Sequence, residues 1–523
     1  MNVHENDVGT LLGTWRLGDA TSTAIVLQPT PSDDAQDPLN WTKWRKAINF
    51  GLGLFYVLIT FVLIDIFGIA YNDYVIELGM GYQDYNEITA LNYVGLAIGC
   101  VMFIPLVYKL GRRPVYLISL TIQLATAIWA AKIQTLAELY PLNFIQGIGG
   151  AISETIVQIS ISDLFFVHQY ATMNGLFLLF QSIGAFLGPV AAGYVVVGQG
   201  WRWQWWWCAI FLGMSLLLVF LFFEETAYVP ALQGRPANIE TVPAGKKDDP
   251  ETGLDITRQS STMGSGPSAD RSWLEKLRPY TVYEGSVLHH AWQPFILLFR
   301  VPAVLYTALT YGILLANFAV LTSVATTSLF YPPYNFDTAG VGLFNIAPFI
   351  GSFLASITIA PLSDFMIVRL SRKNGGIYES EMRLWPALPG ALFTCGGFLM
   401  FGICIAQGRS WVLLALGAGI FGFGFVTCAD IALSYLTDSY QNLIGDAIIG
   451  VIFVRNAISV IILFVLTPWI DGLGLEYMFV SCALITLVIT LGFPVILLVF
   501  GKRMRQSTSE LANKFSLRQS RRT

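Results

Sequence analysis

From residue 47 to residue 500 the chain alternates between long apolar runs and short polar breaks. A helix needs ~20 apolar residues to cross the hydrocarbon core of a bilayer. Twelve runs approach or exceed that length: 47–71, 87–107, 115–131, 139–162, 172–197, 203–223, 300–329, 339–361, 384–406, 410–437, 444–467 and 475–500. The longest polar interruption, 224–299, is rich in Gly, Pro, Ser, Asp and Lys and reads as a flexible linker. Near its end, Trp273-Leu-Glu-Lys-Leu-Arg278 reads either as a short amphipathic helix on the membrane surface or as a solvated loop. The pattern predicts an all-α membrane protein of twelve transmembrane helices in two six-helix bundles. Its parts are a tail over 1–46, a first bundle over 47–223, the linker, a second bundle over 300–500 and a tail over 501–523. Residues 1–40 are polar, so the first span is expected to direct insertion itself.

The basic residues orient this layout. Arg16, Lys43, Arg45 and Lys46 precede span one, Lys109, Arg112 and Arg113 follow span two, and Arg369, Arg372, Lys373 and Arg383 follow span eight. With those of the linker and its flank and of the final tail, they make 26 of the 30 Lys and Arg, all on one side of an even number of spans. Positive charge collects on the cytoplasmic side, so both termini are expected there. The opposite loop 72–86 carries Asp73, Glu77 and Asp84 and no basic residue.

Composition agrees: 54% of residues are hydrophobic, only 12% are charged, and the mean hydropathy is +0.60. A soluble surface needs more charge than that. The six cysteines fall within apolar runs without CxxC or Cys/His spacing, so neither a metal nor disulfides are expected. No Walker loop, nucleophile–base set or metal-ligand spacing occurs, which argues against an enzyme or an ATP-driven pump. No cofactor and no nucleic-acid partner are expected.

Within span five, Gln181-Ser-Ile-Gly-Ala-Phe-Leu-Gly-Pro-Val-Ala-Ala-Gly193 places Gly184, Gly188 and Ala192 four residues apart on one helix face. Such a face lets a second backbone approach closely, and Pro189 removes a backbone donor. The extended pattern Gly184, Gly188, Pro189, Gly193 resembles the fifth-helix antiporter motif of the major facilitator superfamily. Gly111-Arg112-Arg113-Pro114 resembles the superfamily's loop motif after span two, with Tyr108 and Ile104 at its Asp and first Gly positions, and Gln146-Gly147-Ile-Gly149 resembles the end of its span-four motif. Asp37-Pro-Leu-Asn-Trp41, Asp163-Leu-Phe-Phe-Val-His168, Gly200-Trp-Arg-Trp203 and Glu381-Met-Arg-Leu384 resemble the fungal drug:H+ antiporter-like branch, which includes polyamine and cation transporters. The resemblance implies two pseudo-symmetric bundles, a small-molecule substrate, alternating access and a monomer in the plasma membrane. It also implies a cytoplasmic latch in which Lys109, Gly111, Arg112 and Arg113 meet Asp163, with Asp364 and Arg369 as its second-half counterpart. Two arginines of the pattern are missing: Asn143 stands at the span-four position linked to proton coupling, and Tyr170 at the one that follows Asp163.

Four ionisable residues lie within spans: Asp65, Glu154, Asp430 and Arg455. Each costs roughly 2.5–3.5 kcal/mol on insertion scales and so is expected to face the bundle interior or water. Asn143, Gln146, Gly150 and Glu154 share one face of span four, with Glu154 read as the main site for a proton or a cation, or else as a structural hydrogen-bonding group. In the superfamily's layout span eleven lies at the seam, which makes Arg455 the expected structural partner of Asp430. Tyr93, Tyr311 and Tyr435 are candidates for cation–π contact with a substrate. The expected function is transport of small amphipathic or cationic molecules, as efflux in exchange for protons. Uptake of a cation such as a polyamine and a non-transporting nutrient sensor stand as alternatives.

Overall fold

The computed structural model of the chain describes residues 14–16, 37–165, 167–226, 289–375, 377–440 and 444–519. The Trp273–Arg278 stretch lies outside them.

Twelve long helices follow in sequence order. The first six are α1 (Lys43–Asp65), α2 (Tyr82–Leu110), α3 (Arg112–Ala131), α4 (Leu136–Leu164), α5 (Val167–Ser182 continued as Gly188–Gln199) and α6 (Trp201–Phe222). The second six are α7 (Pro302–Ser328), α8 (Ile346–Lys373), α9 (Ala387–Ala406), α10 (Trp411–Ser439), α11 (Ile444–Leu473) and α12 (Leu475–Leu487 continued as Phe493–Gln519). Eleven helices among the described residues are long and apolar enough to span a membrane. The twelfth, α4, has the length and carries Asn143, Gln146, Glu154 and Gln158. One π-helical turn, Ile183–Leu187, interrupts α5 and another, Val488–Gly492, interrupts α12. Each such turn inserts one residue into a regular helix.

Residues 289–300, which the sequence places in the linker, are helical and pack on α11, with Gly450 directly against the Pro294 carbonyl. A short strand β1 (Thr14–Arg16) pairs antiparallel with β2 (Ile377–Glu379), which follows α8. Lys502 of α12 holds Glu379 at 3.3 Å, so the first and last described segments meet on the face that carries the basic loops.

The start of the first bundle is fixed by local chemistry. Asp37 caps a single 3-10 turn over Pro38–Asn40, Lys46 donates to the Leu39 carbonyl at 3.0 Å, and the Arg45 guanidinium stacks 3.9 Å over Trp41. The side chains of the tryptophan-rich stretch 201–207 differ in exposure. Trp203 and Trp207 are exposed, whereas Trp201 and Trp205 are buried against Tyr74, whose hydroxyl accepts from the Trp205 indole at 3.1 Å.

Candidate functional site

A cavity lies between the bundles. Helices α1, α2, α4 and α5 form one wall and α7, α8, α10 and α11 the other, so the helices at the seam contribute along with those expected at the centre. Phe61, Phe177, Phe186, Phe318 and Phe425 make much of the lining apolar, and Asp65, Glu154, Asp430 and Arg455 supply its charges. Three carboxylates against one guanidinium leave the site formally acidic.

Glu154 and Arg455 form an ion pair across the two bundles, from Oε1 of Glu154 to Nη2 of Arg455. Asn456 adds a hydrogen bond from Nδ2 to Oε2 of Glu154 at 3.4 Å. The side chains are 5% and 9% exposed, deep enough that a carboxylate needs compensation. The guanidinium expected to neutralise Asp430 therefore serves Glu154. The reason lies in packing: α11 runs along α2, and from there the long Arg455 side chain reaches across to α4.

Asp65 lines the central cavity and also a smaller pocket beyond it, away from the basic face. Tyr93 is likewise common to both, and Thr89, Asn92, Thr322 and Asn345 add polar groups to the smaller one. The polar stripe of α4 does not act as a unit. Asn143 lines the smaller pocket, where its backbone carbonyl accepts from Asn92 and its side chain donates to Leu139. Gln146 donates to the Leu63 carbonyl at 2.9 Å and holds α4 to α1, and Gly150 packs on Ile64. Glu154 is the member that faces the main cavity. Tyr311 and Asp430 line that cavity as well, while Tyr435 is buried beside Tyr306 away from it. Gln158, Gln181, Ser356 and Asn456 were not singled out from sequence. Gln158 had a readable signal, since it sits one helical turn from Glu154, and it lines the cavity with Gln181 and Ser356, while Asn456 is buried behind Glu154.

On the far side of Asp65 the bundles close on each other. The Ser323 hydroxyl donates to Asn86 at 2.5 Å, and Asn86 donates to Thr467 at 3.2 Å. The α5 glycines divide between two jobs. A Cβ on Gly184 would lie 2.5 Å from the Leu58 carbonyl and one on Gly188 would press on Val62, so both seat α5 on α1. A Cβ on Gly193 would lie 2.9 Å from the Thr338 carbonyl, at the start of the Thr338–Phe344 helix in the second bundle. In return, Gly342 lies against the Pro189 carbonyl, where a Cβ would come within 2.8 Å.

On the basic face Arg112 meets Asp163 at 3.1 Å, and Lys109 is exposed. Gly111 takes a positive φ of 99° that favours glycine. This turn delivers the backbone N–H groups of Arg112 and Arg113 to the Glu225 carboxylate at 2.8 and 3.0 Å, and the neighbouring Glu224 accepts from Arg45 Nε at 2.9 Å. In the second bundle Arg383 pairs with Asp438 at 2.7 Å. Asp438 also accepts from Tyr378, whose phenol is pushed well up by burial and by that carboxylate. Arg369 is exposed, and the Asp364 side chain lies outside the described residues. Arg505 of α12 donates to Glu381 at 2.8 Å.

The family model described as Major Facilitator Superfamily matches residues 53–462. The chain belongs to the Major Facilitator Superfamily. An uncharacterised MFS-type transporter of Schizosaccharomyces pombe is 29% identical over 93% of this chain and 89% of its own length. Protein HOL1 of Saccharomyces cerevisiae is 26% identical over 93% and 91%, and efflux pump FUB11 of Gibberella moniliformis 24% over 95% and 80%. The human organic anion transporter MFSD10 shares the fold, with a TM-score of 0.56 at 16% identity over 87% of this chain and all of that one. This superfamily member is thus a multi-pass membrane protein of the twelve-helix fold, and its relatives support secondary transport of a small molecule.

Proposed function

We propose that this transporter carries small cationic or amphipathic organic molecules by alternating access, as efflux in exchange for protons. The observation that carries this reading is the charge of the central cavity: Asp65, Glu154 and Asp430 against Arg455. A cleft lined by one sign of charge between low-dielectric walls concentrates the opposite sign. Tyr93 and Tyr311 add aromatic faces suited to a cation. The midplane between two bundles is where parallel-repeat transporters bind substrate. Asp65 borders both the central cavity and the pocket beyond it, the position a proton-carrying carboxylate needs if it is to meet each side in turn. With the basic loops in the cytoplasm, both termini are cytoplasmic and the cavity belongs to an inward-facing state, closed toward the outside by Asn86, Ser323 and Thr467. The efflux direction is favoured by the relative named an efflux pump, and the plasma membrane is the proposed location.

The test is flux in proteoliposomes under an imposed pH gradient, using a panel of organic cations with organic anions as controls. Cation movement driven by the gradient is expected, and Glu154→Gln and Asp65→Asn should each lower it at least about tenfold, the effect of losing roughly 1.4 kcal/mol of interaction. Flux indifferent to the gradient refutes antiport, and preference for anions refutes the cationic substrate class.

A further inference from the structure

The Glu154–Arg455 pair is placed unusually for a structural salt bridge. Its two members come from opposite bundles, α4 and α11, and both line the cavity through which substrate moves. We propose that Arg455 is a tethered rival of the transported cation: in the empty carrier its guanidinium occupies Glu154, and an arriving substrate takes that carboxylate by displacing it. The inference rests on the cation-carrier reading above.

The physical case has three parts. First, a carboxylate at this depth needs a compensating charge in every state in which the bundles close around it, because removing one partner of a buried pair leaves a charge without its counter-ion. Arg455 meets that need when no substrate is present, and the substrate's own charge meets it when one is. The bundles therefore close around a neutral pair on both legs of the cycle. Second, the guanidinium is held loosely for a buried arginine. Among the described residues its Nε makes no hydrogen bond, and Asn456 supplies a second donor to Glu154 that stays in place when Arg455 leaves. The displaced group remains in a cavity whose lining also holds Asp65 and Asp430. Third, competition lowers apparent affinity by the fraction of time the carboxylate is occupied. A pair closed about nine-tenths of the time weakens substrate binding about tenfold, which favours release over trapping.

The experiment uses the full-length protein in detergent and in proteoliposomes, with radiolabelled tetraphenylphosphonium as the probe. Glu154→Gln should lose binding. Arg455→Gln should bind the probe about tenfold more tightly than the parent. It should still exchange labelled for unlabelled probe across the membrane, and it should fail at net movement into probe-free medium, because the empty carrier then holds a bare carboxylate. Arg455→Lys keeps the charge and loses the planar fork. It is expected to tighten binding by less, and it serves as the test if the Gln variant does not fold. Unchanged or weaker binding in both Arg455 variants overturns the inference while leaving the cation reading intact, provided binding still depends on Glu154. Failure of the parent protein to bind any organic cation overturns both.

Discussion

Glu154, Asp65 and Asp430 could be picked out from sequence because hydrocarbon tolerates a lone charge so poorly that any carboxylate within a span must have a purpose. All three line the cavity. Which charge would answer which could not be read, since partner choice depends on how α11 lies against α2, and no spacing within one helix encodes that. Tyrosines carry less information still: a phenol is equally at home in a wall or in a core. The structure separates them. Tyr311 faces the cavity and Tyr435 packs on Tyr306. Replacing Tyr311 with Ala should weaken cation binding about five- to tenfold, the loss of one partly desolvated cation–π contact, whereas Tyr311→Phe should retain most of it. Tyr435→Phe should leave binding unchanged. Equilibrium binding across these three variants decides the matter, and equal losses at both positions would contradict the assignment.

Among the elements, α5 shows most clearly what a motif conveys and what it withholds. Its glycines were legible as a close-packing surface, and close packing is what they provide. Helical spacing put Gly184, Gly188 and Ala192 on one face; Gly184, inside the π turn over Ile183–Leu187, and Gly188 end on α1, whereas Gly193 ends on the second bundle. Substitutions should therefore have different consequences. Gly184→Leu drives a side chain into the Leu58 carbonyl within one bundle and should lower the thermal unfolding temperature of the purified protein. Gly193→Leu wedges the seam between bundles at Thr338 and should leave the fold intact while preventing closure on the outer side. Cysteines placed at Asn86 and Thr467 report this directly: their cross-linking should fall sharply in the Gly193 variant and little in a Gly184 variant that still folds. Helix α4 teaches a similar lesson. Its polar face was visible, but Gln146 spends its amide on the α1 backbone, where it ties two helices together.

At the scale of the molecule, hydropathy and the distribution of Lys and Arg made twelve helices in two sets of six legible, because a bilayer constrains length and charge so tightly. Less was legible at the basic face, where the ion pairs join residues 51 or more positions apart. Arg112 with Asp163 links the start of α3 to the end of α4, and Arg383 with Asp438 links the 3-10 turn before α9 to the end of α10, so the bundles carry a like join. Exchanging the second pair tests whether it is a specific join: Arg383→Asp or Asp438→Arg alone should reduce transport and stability, and the double exchange should recover much of both. Single losses at a part-buried pair are about 1–3 kcal/mol when one hydrogen-bonding partner is orphaned, and thermal unfolding of the three variants measures them. No recovery in the double variant would count against the pairing.

The closing helix of each bundle meets that face with opposite sign. Behind α6, Glu224 and Glu225 receive Arg45 and the backbone amides of Arg112 and Arg113, whereas in α12 Lys502 and Arg505 receive Glu379 and Glu381. Two bundles of like shape made from one chain run the risk of trading parts during assembly. An acidic terminus brought to an acidic loop, or a basic one to a basic turn, meets repulsion, so each sixth helix is turned away from the wrong half before any apolar surface has been matched.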